Sequence, residues 1–423
     1  MRVQIRKWIG FAFCCGATCA SAADYLGAWN FSHFSTPVRV LLESSQQSVL
    51  LRSMKSSTVR INGSPSSAKL SPGQLFFSAE DSKVRLVRIP YRPLTAKTFE
   101  LVFPLEAAGF EWNGRMYRGR AFVAAENGTV FVTNQLPMET YLAGTVGSEM
   151  SPSWSVEALK AQAVAARSYA LYRRERPRHP LYDLESSTQD QVYLGVSSEK
   201  PSVWRAVKET AGVYLVSNGK PSQIHYHSRC GGQTQTPDRV WGSAKSGNSV
   251  DCPFCRQFPY KWNASWTPEE FLEKLGMHSQ HPKAVLVVRQ SSEGRVHEVE
   301  VAAGTQKRTV SSETLRRLLG YNRLKSTHFA LSQSSHSIRA EGTGAGHGVG
   351  MCQWGAKYLA DQGAGYSDIL KHYYPGRRLA RLPSEKGMDR SQVAKVGYAR
   401  APTRRLRFSS TGTADSAFPR FTP

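Results

Sequence analysis

Between Val38 and Val132 the chain passes through seven short β-rich runs: VRVLL, SVLLR, TVRING, QLFFSA, VRLVRI, FELVF and TVFVT. Ser, Gly, Pro and Asn separate them, so each run is bounded by turn chemistry and reads as a strand. The period then changes. Val156, Leu159, Ala163, Ala166 and Ala170 recur at helical spacing, with Ser155 placed to cap the helix and Glu157 in its first turn. Lys160, Arg167 and Arg174 recur every seven residues and so share a second face. On its own, that basic stripe reads as a solvated face. Pro177 ends the pattern. Strands followed by a long helix exclude an all-α or an all-β chain, and the fold class expected is α+β.

The later part keeps this mixture. PSVWRAVKETAG, PEEFLEKLG and SETLRRLLG read as helices, the last capped by Ser311 or Ser312. QVYLG and SQIHYHSRCGG read as short strand and turn pieces, and AVLVVRQ and VHEVEVA as strands around the Glu293-Gly294 turn. No internal repeat or coiled-coil heptad is visible. At 423 residues, two or three lobes are expected rather than one small core.

The two ends have a different character. Arg2, Arg6 and Lys7 precede the apolar run WIGFAFCCGA, and Ala20-Ser21-Ala22 follows, which is the pattern of a secretory signal over residues 1–22. The run is too short to span a bilayer, and no transmembrane segment is expected after signal removal. The expected location is therefore exported, in the periplasm or cell envelope. Without the leader the formal charge falls from +23 to about +20. The tail, assigned to residues 381–423, is basic, poor in hydrophobic periodicity and expected to be disordered. An exported basic chain meets polyanions such as wall glycan or acidic polysaccharide rather than nucleic acid.

One acidic residue stands out in this basic chain. TVGSEMSPSW places Glu149 just ahead of the Ala-rich helix, where a carboxylate also stabilises a helix start. Its surroundings resemble the SpoIID/LytB family. VTNQLPMETYLAGTVGSEMSPSW (Val132–Trp154), EALKAQAVAARSYAL, STQDQVYLG, HSRCGGQTQTPDRVWG, LKSTHF, GAGHGVGMCQWGAKYLA and HYYPG occur in the family's order. Several ordered motifs are far more specific than one short pattern. The resemblance covers residues 116–380 as a SpoIID-like catalytic domain with a β-containing insertion at about 257–340. Residues 23–115 form a β-rich N-terminal region that matches only generally, and a substrate groove is expected between lobes.

The resemblance implies action on peptidoglycan glycan strands as a lytic transglycosylase, which cuts between MurNAc and GlcNAc and leaves a 1,6-anhydro-MurNAc end. It implies Glu149 as the catalytic acid. Most glycosidases need two carboxylates; one suffices when the attacking group is the substrate's own C6 hydroxyl. Glu149 would then need a raised pKa. Burial against Met150 and Trp154 would raise it, whereas a helix N-terminus and Lys160 would oppose that. Lys160, Arg167, Gln191, Tyr193, His347 and Gln353 are candidate substrate-binding residues. The competing reading is a wall-binding activator of a cell-wall amidase, which needs the basic surface but no catalytic carboxylate. No cofactor is required for catalysis. His227, Cys230, Cys252 and Cys255 resemble a Cys3His structural zinc site. With Cys352 they equally permit disulfides, natural in an exported chain, and both readings stand.

Overall fold

The computed structural model describes residues 37–383, except 46, 65–66, 89–91, 243–246, 279–283 and 291–293. The leader at residues 1–22 and the basic tail beyond residue 383 lie outside the described residues. The fold is mixed α+β.

Each of the seven β-rich runs contributes a strand among the described residues. They build two sheets. A seven-stranded sheet has the order Leu184–Glu185, Pro37–Ser45, Thr129–Pro137, Arg120–Glu126, Thr98–Val102, Ser57–Ile61, Ser67–Leu70. A six-stranded sheet runs Arg115–Tyr117, Phe110–Trp112, Ser48–Ser53, Gly73–Glu80, Lys83–Val87, Leu94–Ala96. Period-2 alternation decides which side chains go inside: in Ser48–Ser53, Val49 and Leu51 are buried while Leu50 and Arg52 face out. The inward residues of both sheets belong to one apolar cluster that continues through Leu159, Val164 and Ala166. The boundary at residue 115 therefore marks a change of composition, not a separation of cores.

The helices among the described residues are α1 (Met138–Glu149), α2 (Val156–Glu175), α3 (Pro201–Glu209), α4 (Pro237–Trp241), α5 (Pro253–Gln257), α6 (Pro268–Lys274), α7 (Ser312–Leu319), α8 (Gln353–Asp361) and α9 (Tyr366–Tyr373). Ser155 caps α2 by accepting from the Glu157 amide, and Ser311 caps α7 by accepting from Thr314. The helix α1 has no amphipathic period because every residue from Met138 to Val146 is buried. A helix enclosed on all sides loses the polar face by which sequence reading recognises helices.

The basic stripe on α2 departs from the solvated face expected. Arg167 is fully buried, and its guanidinium forms a bidentate ion pair with Glu139 of α1. It also donates to the Val213 carbonyl at 2.9 Å, and the Gly212 amide donates to Glu139 at 3.1 Å. A charge left in a packed core must find a partner, and this pair fixes α1, α2 and the strand Val213–Ser217 against one another. Lys160, higher on the same stripe, bridges Glu157 at 2.7 Å and Glu209 at 2.5 Å.

The insertion has its own core. The strands Lys261–Trp266, Ile338–Thr343 and Phe329–Gln333 form one small sheet, and Ala284–Gln290, Val296–Ala303 and Gln306–Ser311 another. Trp262, Trp266, Phe271, Val299 and Leu315 fill the space between them and helices α6 and α7.

Breaking the buried pair tests the core assignment. Arg167→Leu, which strands Glu139, is expected to cost about 3–5 kcal/mol. The double variant Arg167→Leu/Glu139→Leu should recover part of that loss. Urea unfolding midpoints measure both, and an unchanged midpoint for the single variant would remove the pair from its structural role.

Candidate functional site

Glu149 is the last residue of α1, not the first of α2. The local reason is the following segment: Met150 is extended and Pro152 cannot continue the helix. The carboxylate thus lies at the negative end of a helix dipole, which disfavours ionisation, the reverse of the helix-start placement expected. One oxygen accepts from the Val192 amide at 2.9 Å, and the other from Gln353 Nε2 at 3.3 Å. Tyr226 supplies a third hydrogen bond. Burial nonetheless raises the Glu149 pKa above its ordinary value, outweighing the three donors, which lower it. Lys160 is occupied with Glu157 and Glu209 and has no part in that balance.

The donors are themselves held. Tyr141 donates to Gln191 Oε1 at 2.8 Å, and Gln191 Nε2 donates to Tyr226 Oη at 2.8 Å and to the Ala166 carbonyl at 3.3 Å. Ser148 Oγ donates to Gly144 O at 2.6 Å and accepts from the Leu194 amide at 3.3 Å. Gly147 permits the close approach of α1 to the 3-10 turn Gly195–Ser198, since a Cβ there would lie 2.1 Å from the Ser198 carbonyl oxygen. The Gly147-Ser148-Glu149 sequence is thus a packing requirement as well as a chemical one.

The other candidates divide. Gln353, the first residue of α8, and Gln191 converge on Glu149, directly and through Tyr226 respectively. Arg167 and Tyr193 do not reach the site. Arg167 lies in the core, and Tyr193 is buried against Tyr117 and Tyr141 with its hydroxyl 2.9 Å from Asn134 Oδ1. Neither side chain is placed to line a sugar groove, because each is needed to satisfy the interior. Lys160, a candidate for glycan contact or salt bridging, is engaged in an ion-pair bridge between Glu157 and Glu209. His347 is half-buried, accepts from the Val349 amide at 3.0 Å and stacks near Trp241, His225 and His227. Burial and the neighbouring His227 and His225 hold it well below the usual imidazole range, so it is neutral.

Sequence reading passed over Tyr226 and the Val192 amide. Alternation in the run HYH offered a signal for Tyr226: it puts His225 and His227 on one side of an extended chain and Tyr226 on the other. The Val192 contact is a backbone donor and carries no signature of residue type.

The sulfur ligand set also changes. Cys230, Cys252, Cys255 and Cys352 are all buried and free of disulfides, and their sulfur atoms lie within 4.8 Å of one another. His227 is outside this group. It donates from Nδ1 to the Val349 carbonyl at 3.0 Å, and the fourth member of the group is Cys352, which pairs with it across a parallel bridge. The amides of Gly232 and Gly355 donate to sulfur at 3.4 Å, and the buried guanidinium of Arg295 bonds the Cys230 carbonyl. Sulfur-directed amides and a buried cation suit a cluster of thiolates, the form in which cysteine binds metal.

A cavity of about 410 Å³ opens beside Tyr226. Core residues Tyr169, Arg178 and Trp241 line one side, and Glu313, Arg317 and Tyr321 from the insertion line the other. Tyr226 is the lining residue that lies near Glu149.

Comparison with known proteins agrees with this architecture. Residues 126–216, which hold α1, α2 and Glu149, match the SpoIID family, described as stage II sporulation protein. Residues 251–350 match a domain of unknown function, DUF8618, slightly wider than the insertion expected at 257–340. The chain is 32% identical over 262 residues to stage II sporulation protein D of Bacillus subtilis, covering 58% of this chain and 75% of that protein. It is 33% identical over 273 residues to an uncharacterized protein of Brachyspira hyodysenteriae, covering 63% and 73% respectively. It is also 28% identical over 295 residues to an amidase enhancer of Bacillus subtilis, covering 56% of this chain and 40% of that protein. With its ordered motifs and a match across three quarters of stage II sporulation protein D, the chain belongs to the SpoIID family.

Proposed function

We propose that the chain is an exported peptidoglycan lytic transglycosylase acting on peptide-stripped glycan strands in cell-envelope remodelling. Family membership and the likeness to an amidase enhancer support a cell-wall role. The observation that carries the finer reading is Glu149: a carboxyl with a raised pKa, bonded by Val192 and Gln353 and close to Tyr226, a residue that lines the cavity. A carboxyl kept protonated can donate to the glycosidic oxygen as the bond to C1 breaks. The resulting carboxylate then takes the proton from the C6 hydroxyl as that oxygen closes on C1, which leaves the anhydro sugar and restores the acid. The three donors stabilise the carboxylate between the two steps. No second carboxylate is required, because no water is activated.

The four cysteines fit structural zinc. Cys230, Cys252, Cys255 and Cys352 would hold it, tying the segment after His227, helix α5 and the start of α8 into one unit. The metal supplies cross-linking rather than chemistry, and the proton steps stay with Glu149.

A second reading, a wall-binding activator of an amidase, is favoured by the amidase-enhancer likeness alone. It predicts glycan binding and amidase stimulation that survive Glu149→Gln.

Mass spectrometry of products from peptide-free strands is expected to find anhydro-MurNAc ends, reduced at least about 10²-fold by Glu149→Gln. Unchanged release by that variant would reject Glu149 as the acid. Because the acid form is required, activity should fall as pH rises through the raised pKa. Gln353→Ala removes a donor that favours the carboxylate, so the alkaline limb of kcat/KM should move to higher pH. A limb that stays in place would mean another group sets it. Metal analysis of the purified protein should find about one zinc per chain, lost in Cys352→Ser and kept in His227→Ala. Metal loss in the histidine variant, with retention in Cys352→Ser, would restore the Cys3His set.

A further inference from the structure

The cavity beside Tyr226 is formally balanced in charge but not in the charge that it presents. Its titrating walls carry Arg178 and Asp190 on the core side and Arg317 and Glu313 on the insertion side, together with neutral His225 and His347. Both carboxylates are already engaged. Asp190 accepts from the Tyr169 hydroxyl at 2.5 Å and from the Glu185 amide at 2.9 Å, and pairs with the buried Arg173 at 3.2 Å. Glu313 accepts from the buried Arg316 at 2.8 Å. Arg178, half its side chain exposed, is 3.6 Å from Asp190, and Arg317 is exposed and makes no ion pair among the described residues. Arg317 is therefore the cation left to the cavity, with Arg178, which shares Asp190 with Arg173, on the core side. Trp241, an exposed aromatic, stands at the same wall over His225 at 4.6 Å.

We propose that the 251–350 insertion is the second wall of the glycan groove, where Arg317, facing Arg178, recognises the carboxylate of an acidic sugar while Trp241 offers a face for a neighbouring ring. This rests on the glycan reading above and adds a role for the insertion. On a peptidoglycan strand the carboxylate is that of the MurNAc lactyl group, which exists as a free anion only where no amide occupies it. Guanidinium suits this ligand because its planar fork meets both carboxylate oxygens, and the cost of desolvating a carboxylate is offset when two cations face it. Aromatic faces accept the apolar side of a sugar ring without demanding charge. The wall would thus select substrate on the side remote from the acid, with Glu149 and its donors unchanged by it.

The test uses the full chain carrying Glu149→Gln, so that strands are held without being cut. Fluorescently labelled peptide-free glycan strands are compared with the same strands after conversion of their lactyl carboxylates to methylamides, with binding read by anisotropy at fixed salt. Strands with free carboxylates should bind about tenfold or more tightly than the amidated ones, the range of a charge-assisted pair. Adding Arg317→Ala should remove most of that difference, weakening only the free-acid strands, and Arg317→Lys should restore part of it. Arg317 is exposed, so the variant should keep the parent's melting temperature. If Arg317→Ala weakens both strands equally, or neither, the insertion does not read the carboxylate and the inference falls while the glycan reading stands. Failure of the Glu149→Gln chain to bind either strand would overturn both.

Discussion

An arginine with no access to water ties the helices behind the candidate site together. Arg167 projects from α2 into the core, where an isolated charge would be intolerable, and Glu139 of α1 meets it with both oxygens. The remaining capacity of the pair goes to Val213 and Gly212, so one interaction sets the relative position of two helices and a strand. Replacing such a pair with apolar groups is often no worse for stability, so its value here is in specifying an arrangement. That arrangement is useful because α1 ends on Glu149. With one end of the helix anchored through Glu139 and the other seated on Ser198 through Gly147, the carboxyl has little freedom to drift.

The same geometry explains how a carboxyl bonded to three donors still has a raised pKa. Amide, side-chain amide and phenol all favour the anion, and together they would ordinarily produce an acidic group. Burial runs the other way and prevails, with the C-terminal end of α1 adding to it. The donors therefore do not abolish the acid; they stand ready for the charge that appears when the proton has left. The proposed reaction asks this of a group that gives and then takes a proton, and it comes from enclosing a modest hydrogen-bond set rather than from a second charged residue.

Much of this was legible in the sequence, and the failures share a cause. Strands with one buried face announced themselves through alternation, as in Ser48–Ser53, and α2 through its alanines and the Ser155 cap. Glu149 and Gln353 were visible as parts of motifs. Helix α1 was not, because burial on all sides leaves no polar face to mark its period. Arg167 and Tyr193 were candidates for substrate because polar side chains are expected at the surface or in a groove, yet here Glu139 and Asn134 satisfy them inside. The zinc reading chose His227 over Cys352 because spacing along the chain favours neighbours. The fold instead closes the cluster with a residue brought in by the parallel bridge at His227 and Cys352.

That bridge has a consequence for the site. Cys352 caps α8 through its sulfur, and the next residue is Gln353, which bonds Glu149. Trp354 follows, packed edge-on against Trp154 and covered by Arg229 at 4.0 Å. The sulfur cluster is therefore one peptide unit away from a donor that tunes the acid. Cys252 and Cys255 stand at the entry to the insertion and Cys352 at the start of α8, so a link among the four sulfurs would also tie the insertion to the core. Distant parts of the sequence are thereby committed to one geometry: the acid, its tuning donor and the wall across the cavity cannot shift independently. A displacement of the cluster would reach Glu149 through the Gln353 hydrogen bond.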